Sequence, residues 1–109
     1  MFIRVHSRLD LVFAVPSVGV LILELRLEFS HSLKDKRQVV KSLKDRLRGK
    51  FNVAVSEIED QEAWQSAVIA AVTVSPHRAH AEQVLQRVED EAASILGPVL
   101  LRAGIEWLS

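Results

Sequence analysis

Apolar and charged side chains alternate strictly from residue 23 to residue 29. Leu23, Leu25, Leu27 and Phe29 are set against Glu24, Arg26 and Glu28. A period of two sends the two sets to opposite faces of a strand, so the pattern predicts a β-strand with one buried face. Residues 18–22 extend it upstream and are apolar on both faces. Ser30-His31-Ser32 ends the alternation. Ser32 followed by Asp35 resembles a capping box with Asp in its third place, and predicts a helix start. Val39, Val40, Leu43 and Leu47 recur at helical spacing and Gly49 is a natural stop, which gives a helix over residues 33–48.

Alternation returns over residues 51–58, with Phe51, Val53 and Val55 on one face and Asn52, Ala54 and Ser56 on the other. Residues 57–62 are polar and turn-like. Residues 64–75 read as a long strand, which pairs with its predecessor as a hairpin. Ser75-Pro76 predicts a second helix, with serine as cap and proline at the first helical position. Ala81, Val84, Leu85, Val88, Ala92 and Ile95 form its buried stripe, and Gly97-Pro98 closes it. Residues 99–108 give a last strand, weakened by Gly104.

The order strand-helix-strand-strand-helix-strand predicts a split βαβ unit: a ferredoxin-like α+β sandwich. Two helices lie on one face of an antiparallel four-stranded sheet, and the third strand sits between the first and second. A swapped strand order is the competing arrangement. Residues 18–109 form the single domain that a chain of 109 residues accommodates. Residues 1–17 stand outside this plan as an N-terminal extension. Leu9, Leu11, Phe13 and Val15 alternate there like an edge strand, and a loosely ordered extension is the alternative.

Composition narrows the function classes. Hydrophobic residues are 49% of the chain, enough for a core and against disorder. The absence of cysteine excludes a disulfide scaffold, a Cys-based zinc finger and a thiol nucleophile. No apolar run approaches the roughly 20 residues of a membrane-spanning helix. No clean signal-peptide pattern is present either, so a cytoplasmic setting is expected. Lys and Arg total 14 and Asp and Glu total 14, which excludes a uniformly basic nucleic-acid binder.

That neutrality hides a strong polarity. Residues 33–50 carry eight cations against Asp35 and Asp45, a local +6, so the remainder carries −6. At about 100° per residue, Lys34, Arg37, Lys41, Lys44 and Arg48 fall on one narrow arc beside the apolar stripe. Such a stripe can track phosphates, each cation releasing condensed counterions. A solvated helix surface is the competing reading. With four Phe, two Trp and no Tyr, base stacking has little to work with. RNA would be held by backbone electrostatics and shape.

The topology also gathers a polar cluster at one end of the sheet. Lys36 faces Glu57 and Asp60 near Trp64, with Lys34, Arg37, Glu59 and Glu62 around them. An anion bound at the helix N-terminus is one reading, and an exposed salt-bridge cluster is the other. Nothing points to catalysis. Glu57 and Glu59 sit at a strand end, and no serine has a nucleophile context. His77 and His80 lack a third ligand, and the four glycines form no phosphate loop, so neither metal nor cofactor is expected. The two-sided apolar character of Val20, Ile22, Val68, Ala70 and Val72 predicts a homo-oligomer built on the open sheet face. A small-molecule-binding or structural oligomer is therefore the alternative to an RNA-binding protein.

Three segments carry a family resemblance: Ser32-Leu33-Lys34-Asp35-Lys36-Arg37, residues 51–57 (Phe-Asn-Val-Ala-Val-Ser-Glu) and residues 60–65 (Asp-Gln-Glu-Ala-Trp-Gln). In order and spacing they resemble the YlxP-like family of small bacterial proteins of unknown function, over about residues 18–95. The resemblance implies a ferredoxin-like fold and a bacterial cytoplasmic setting. It also implies RNA or ribosomal particles as partners, since such genes often lie beside those for translation initiation and ribosome maturation factors. It supplies no catalytic residues. Members usually begin near the first strand, so residues 1–17 depart from the pattern.

Overall fold

The four leucines of the first alternating segment, Leu21, Leu23, Leu25 and Leu27, are almost completely shielded from solvent, while their odd-even neighbours are not. This is the physical content of the period-two pattern. Burial of each such side chain contributes about 2 kcal/mol, and it fixes which face turns inward. The computed structural model describes residues 15–59 and 62–109. Most of the N-terminal extension, residues 1–14, and Asp60 of the predicted polar cluster lie outside the described residues.

The chain runs β1 (Ser17–Arg26), α1 (Leu33–Lys50), β2 (Ala54–Glu59), β3 (Ser66–Ser75), α2 (Arg78–Leu96), a short 3-10 turn (Gly97–Val99) and β4 (Leu100–Trp107). The sheet order is β2-β3-β1-β4, with every neighbouring pair antiparallel. This is the ferredoxin-like arrangement, with β3 between β1 and β2. Both helices pack on one face. Val40, Leu43 and Leu47 of α1, and Leu85, Val88 and Ala92 of α2, meet the inward leucines of β1 and Ile69 of β3. Gly19 lets Leu85 and Trp107 close over β1, because a Cβ there would stand 2.8 Å from a carbon of each.

Several boundaries differ from the sequence expectation, each for a local reason. β1 stops at Arg26: the Leu27 N–H makes one last in-register bond to Gln65 O, and the chain then turns, with the Ser30 N–H on Leu27 O. Phe29 is therefore not on the buried strand face but 53% exposed. Gly49 does not stop α1. The helix runs to Lys50, and Phe51 caps it by donating its N–H to Leu47 O. Ser75 is not the α2 cap. It is buried as the last residue of β3, paired with Ser17, and its Oγ accepts from the His77 N–H. The cap is His77, and Pro76 precedes the helix. Gly97 does end α2, at a φ of 55° that favours glycine.

Candidate functional site

The start of α1 is satisfied by its own sequence. The Ser32 Oγ accepts from the Asp35 N–H at 3.1 Å, and the Asp35 carboxylate accepts from the His31 N–H at 3.0 Å. These bonds occupy donors that an anion would otherwise claim. One turn on, the Lys36 side chain points into the molecule and is fully buried. Its Nζ lies 3.0 Å from Glu57 Oε2 and 3.2 Å from Ser66 O. Glu57 reaches it because that residue pairs with inward-facing Ile69, which puts its side chain on the helix side of β2. Gln65 straps the same end, its Nε2 donating to Glu28 O and Ser30 O at 3.3 Å each. Residues from all three quoted segments thus converge here as an internal clamp.

Of the predicted polar cluster, the structure brings Lys36 and Glu57 together and places Trp64 elsewhere. Trp64 is 49% exposed. It lines a groove of about 570 Å³ on the open face of the sheet with Glu24, Arg26, Glu62, Leu101 and Arg102. Arg102 Nε meets Glu24 Oε2 at 3.2 Å there. Sequence patterning does not mark this groove, since Glu24 and Arg102 become neighbours only through the β1–β4 register.

On α1 the five predicted cations remain at the surface, Lys44 half-buried and the others exposed. Lys41 Nζ and Arg48 Nη2 both bind Asp45, at 2.7 and 3.1 Å. The hydrogen bond from Lys41, then that from Arg48, holds the Asp45 carboxyl below its ordinary pKa. Lys34, Arg37 and Lys44 make no ion pair among the described residues. Five cations less one carboxylate leave this side of α1 at +4. The opposite side is offset from another element: Arg46 and Lys50 both reach across to Glu91 of α2, at 3.1 and 2.7 Å.

The Lys50 hydrogen bond is the main reason that the Glu91 carboxyl titrates below its usual range. A carboxyl whose pKa is depressed on folding adds stability above its unfolded pKa, and that stability is lost as pH falls through the folded value. The thermal midpoint of Glu91→Gln is therefore expected to lie below that of the wild type at neutral pH. The gap closes below the ordinary value of 4.5. A gap independent of pH would show that the bridge contributes through packing alone. Melting curves across pH decide between the two.

Among the described residues no three potential metal ligands gather. His77 and His80 are exposed at the start of α2. Trp107 instead packs under the Arg78 guanidinium, 4.2 Å from the ring centroid. No helix of the described chain is long and apolar enough to cross a membrane.

A family profile described as "Protein of unknown function (DUF503)" matches residues 18–98. The "Uncharacterized protein YlxP" of Bacillus subtilis (strain 168) is 46% identical over 57 residues, 52% of this chain and 62% of that relative. The match thus spans less than two thirds of the relative's length. Among solved structures, the chain is similar to a putative antibiotic biosynthesis monooxygenase from Caulobacter crescentus CB15. That likeness has a TM-score of 0.51 and 12% identity, and covers 94% of this chain and 96% of the other. A dimeric ferredoxin-like protein of unknown function from Thermobifida fusca YX aligns at a TM-score of 0.45 and 14% identity. It covers 84% of this chain and 91% of that one. At such identities the first likeness bears on the fold alone, and the second carries no argument.

Proposed function

For a chain that belongs to the DUF503 family of proteins of unknown function, we propose a non-catalytic role: docking on RNA, in ribosomal particles, through α1. The observation that carries this reading is the +4 side of α1, where Lys34, Arg37, Lys41, Lys44 and Arg48 face solvent with Asp45 as their nearby counter-charge. A rigid helix holds these cations at fixed intervals, and phosphates repeat at intervals as well. Little entropy is then lost in matching them beyond the side chains' own. Without exposed aromatic rings on α1, the interaction reads charge and shape rather than base sequence.

Salt-dependent co-sedimentation of the full chain with ribosomal particles, and titration with RNA, test the reading. Lys41→Glu with Lys44→Glu is expected to weaken binding about tenfold or more at low salt, and to flatten the plot of log K against log salt by about two. Arg87→Glu, on the exposed surface of α2, serves as the control for a charge reversal away from the stripe, compared with Lys41→Glu alone. Unchanged binding in the double variant would sink the proposal. A second reading, a small-molecule-binding oligomer, is favoured by the Trp64 groove. It takes precedence if RNA binding fails and a small ligand raises the melting temperature.

A further inference from the structure

We propose that the open face of the sheet is an interface with a second copy of this chain, the two faces packing around a two-fold axis. The face is defined by register. Val20 pairs with Val72, Ile22 with Ala70 and Glu24 with Val68, and these residues point away from the helices. Val74 extends the same row and is 56% exposed. The centre of the face therefore carries no charge. Its side chains are short or β-branched, so they leave a flat surface on which another flat sheet can sit about 10 Å away.

The charges around this centre choose the occupant. Glu24, Arg26, Arg102 and Glu106 lie on β1 and β4 at its end and edge, and Glu59 and Glu62 stand at the β2–β3 end, so the rim mixes two cations with four carboxylates. A polyanion finds no excess of cations there. A surface that must complement itself needs an apolar middle and a rim of mixed sign, which is what a two-fold contact requires. The size is of the same order as a stable contact needs, with side-chain relief adding to the flat area. Four strands of six to ten residues project roughly 500 Å² before side-chain corrugation is counted. Stable interfaces bury roughly 800 Å² per partner.

Because both helices lie on the other face, each copy keeps its α1 cations exposed, and one particle presents two basic stripes. The interface does not depend on the RNA reading. Molecular mass reports the first, and salt-dependent RNA binding reports the second.

Sedimentation equilibrium of the full chain at micromolar concentration is expected to give twice the chain mass. Val72→Glu and Val74→Glu should each raise the dimer dissociation constant at least tenfold, with an unchanged circular dichroism spectrum. Both side chains point to solvent in the single chain, and Val74→Glu in particular disturbs no core contact. Three results overturn the proposal: a wild-type monomer, a dimer untouched by both variants, or a monomer that associates only once residues 1–14 are removed. The last would assign the face to that segment of the chain itself.

Discussion

Glu57→Gln is expected to destabilise the fold by about 3 kcal/mol, and more than Lys36→Met does. Breaking a buried ion pair from one side costs about 3–5 kcal/mol, because a charge is left behind where water cannot reach it. Here the two partners are unequally placed. The Lys36 side chain is 0% exposed and that of Glu57 is 16% exposed. Removing the carboxylate charge at 3.0 Å takes the Glu57 counter-charge away from a buried ammonium, which keeps its bond to Ser66 O. Removing the ammonium leaves a carboxylate that can turn toward water, so Lys36→Met should cost only about 1–2 kcal/mol. The double variant Lys36→Met with Glu57→Gln should recover much of the loss, since buried pairs replaced whole by neutral groups are often near neutral. Urea unfolding of the four proteins forms the cycle. Two equal single losses, each below about 0.5 kcal/mol, would show that the pair behaves as a surface pair.

Gly19→Ala carries the second large effect, and its sign is informative. Glycine inside a strand ordinarily costs about 0.5–1 kcal/mol relative to alanine, so propensity alone predicts stabilisation. The new Cβ would instead lie 2.8 Å from Leu85 Cδ1 and 2.8 Å from Trp107 Cζ3. Leu85 is 0% exposed and has no room to swing, and the Trp107 ring is held from above by Arg78. Overpacking of this kind costs about 1–3 kcal/mol, and the double contact argues for the upper part of that range. Trp107→Leu should partly rescue Gly19→Ala, making the double variant more stable than the two single losses combined. A neutral or stabilised Gly19→Ala would mean that β1 shifts away from α2 at little cost.

Element order and strand order were legible because β1, α1 and α2 each bury one face, and each face writes its period into the chain. Element ends were not, because competition decided them. Phe29 continues the alternation of β1, yet the chain turns first, the Ser30 N–H closing back on Leu27 O. Ser75-Pro76 has the composition of a helix start, but ladder pairing with Ser17 holds Ser75 in β3. At the candidate sites, the meeting of Lys36 with Glu57 followed from topology. The arc of cations on α1 followed from the helical repeat. What a single helix cannot reveal is capture from another element. Glu91 takes Arg46 and Lys50 out of play from α2, and Arg102 joins Glu24 and Trp64 only through tertiary register.

The central position of β1 has a consequence for synthesis. Leu21 is paired with Ala71 on one side and with Ile105 on the other. At about 5–20 residues per second, the ribosome needs several seconds after making β1 to supply its first partner, and longer for the second. Through that interval the strand that carries Leu21, Leu23 and Leu25 has two unsatisfied edges. The nascent chain is most prone to edge-to-edge aggregation between the emergence of β1 from the ribosome and that of its partner strands.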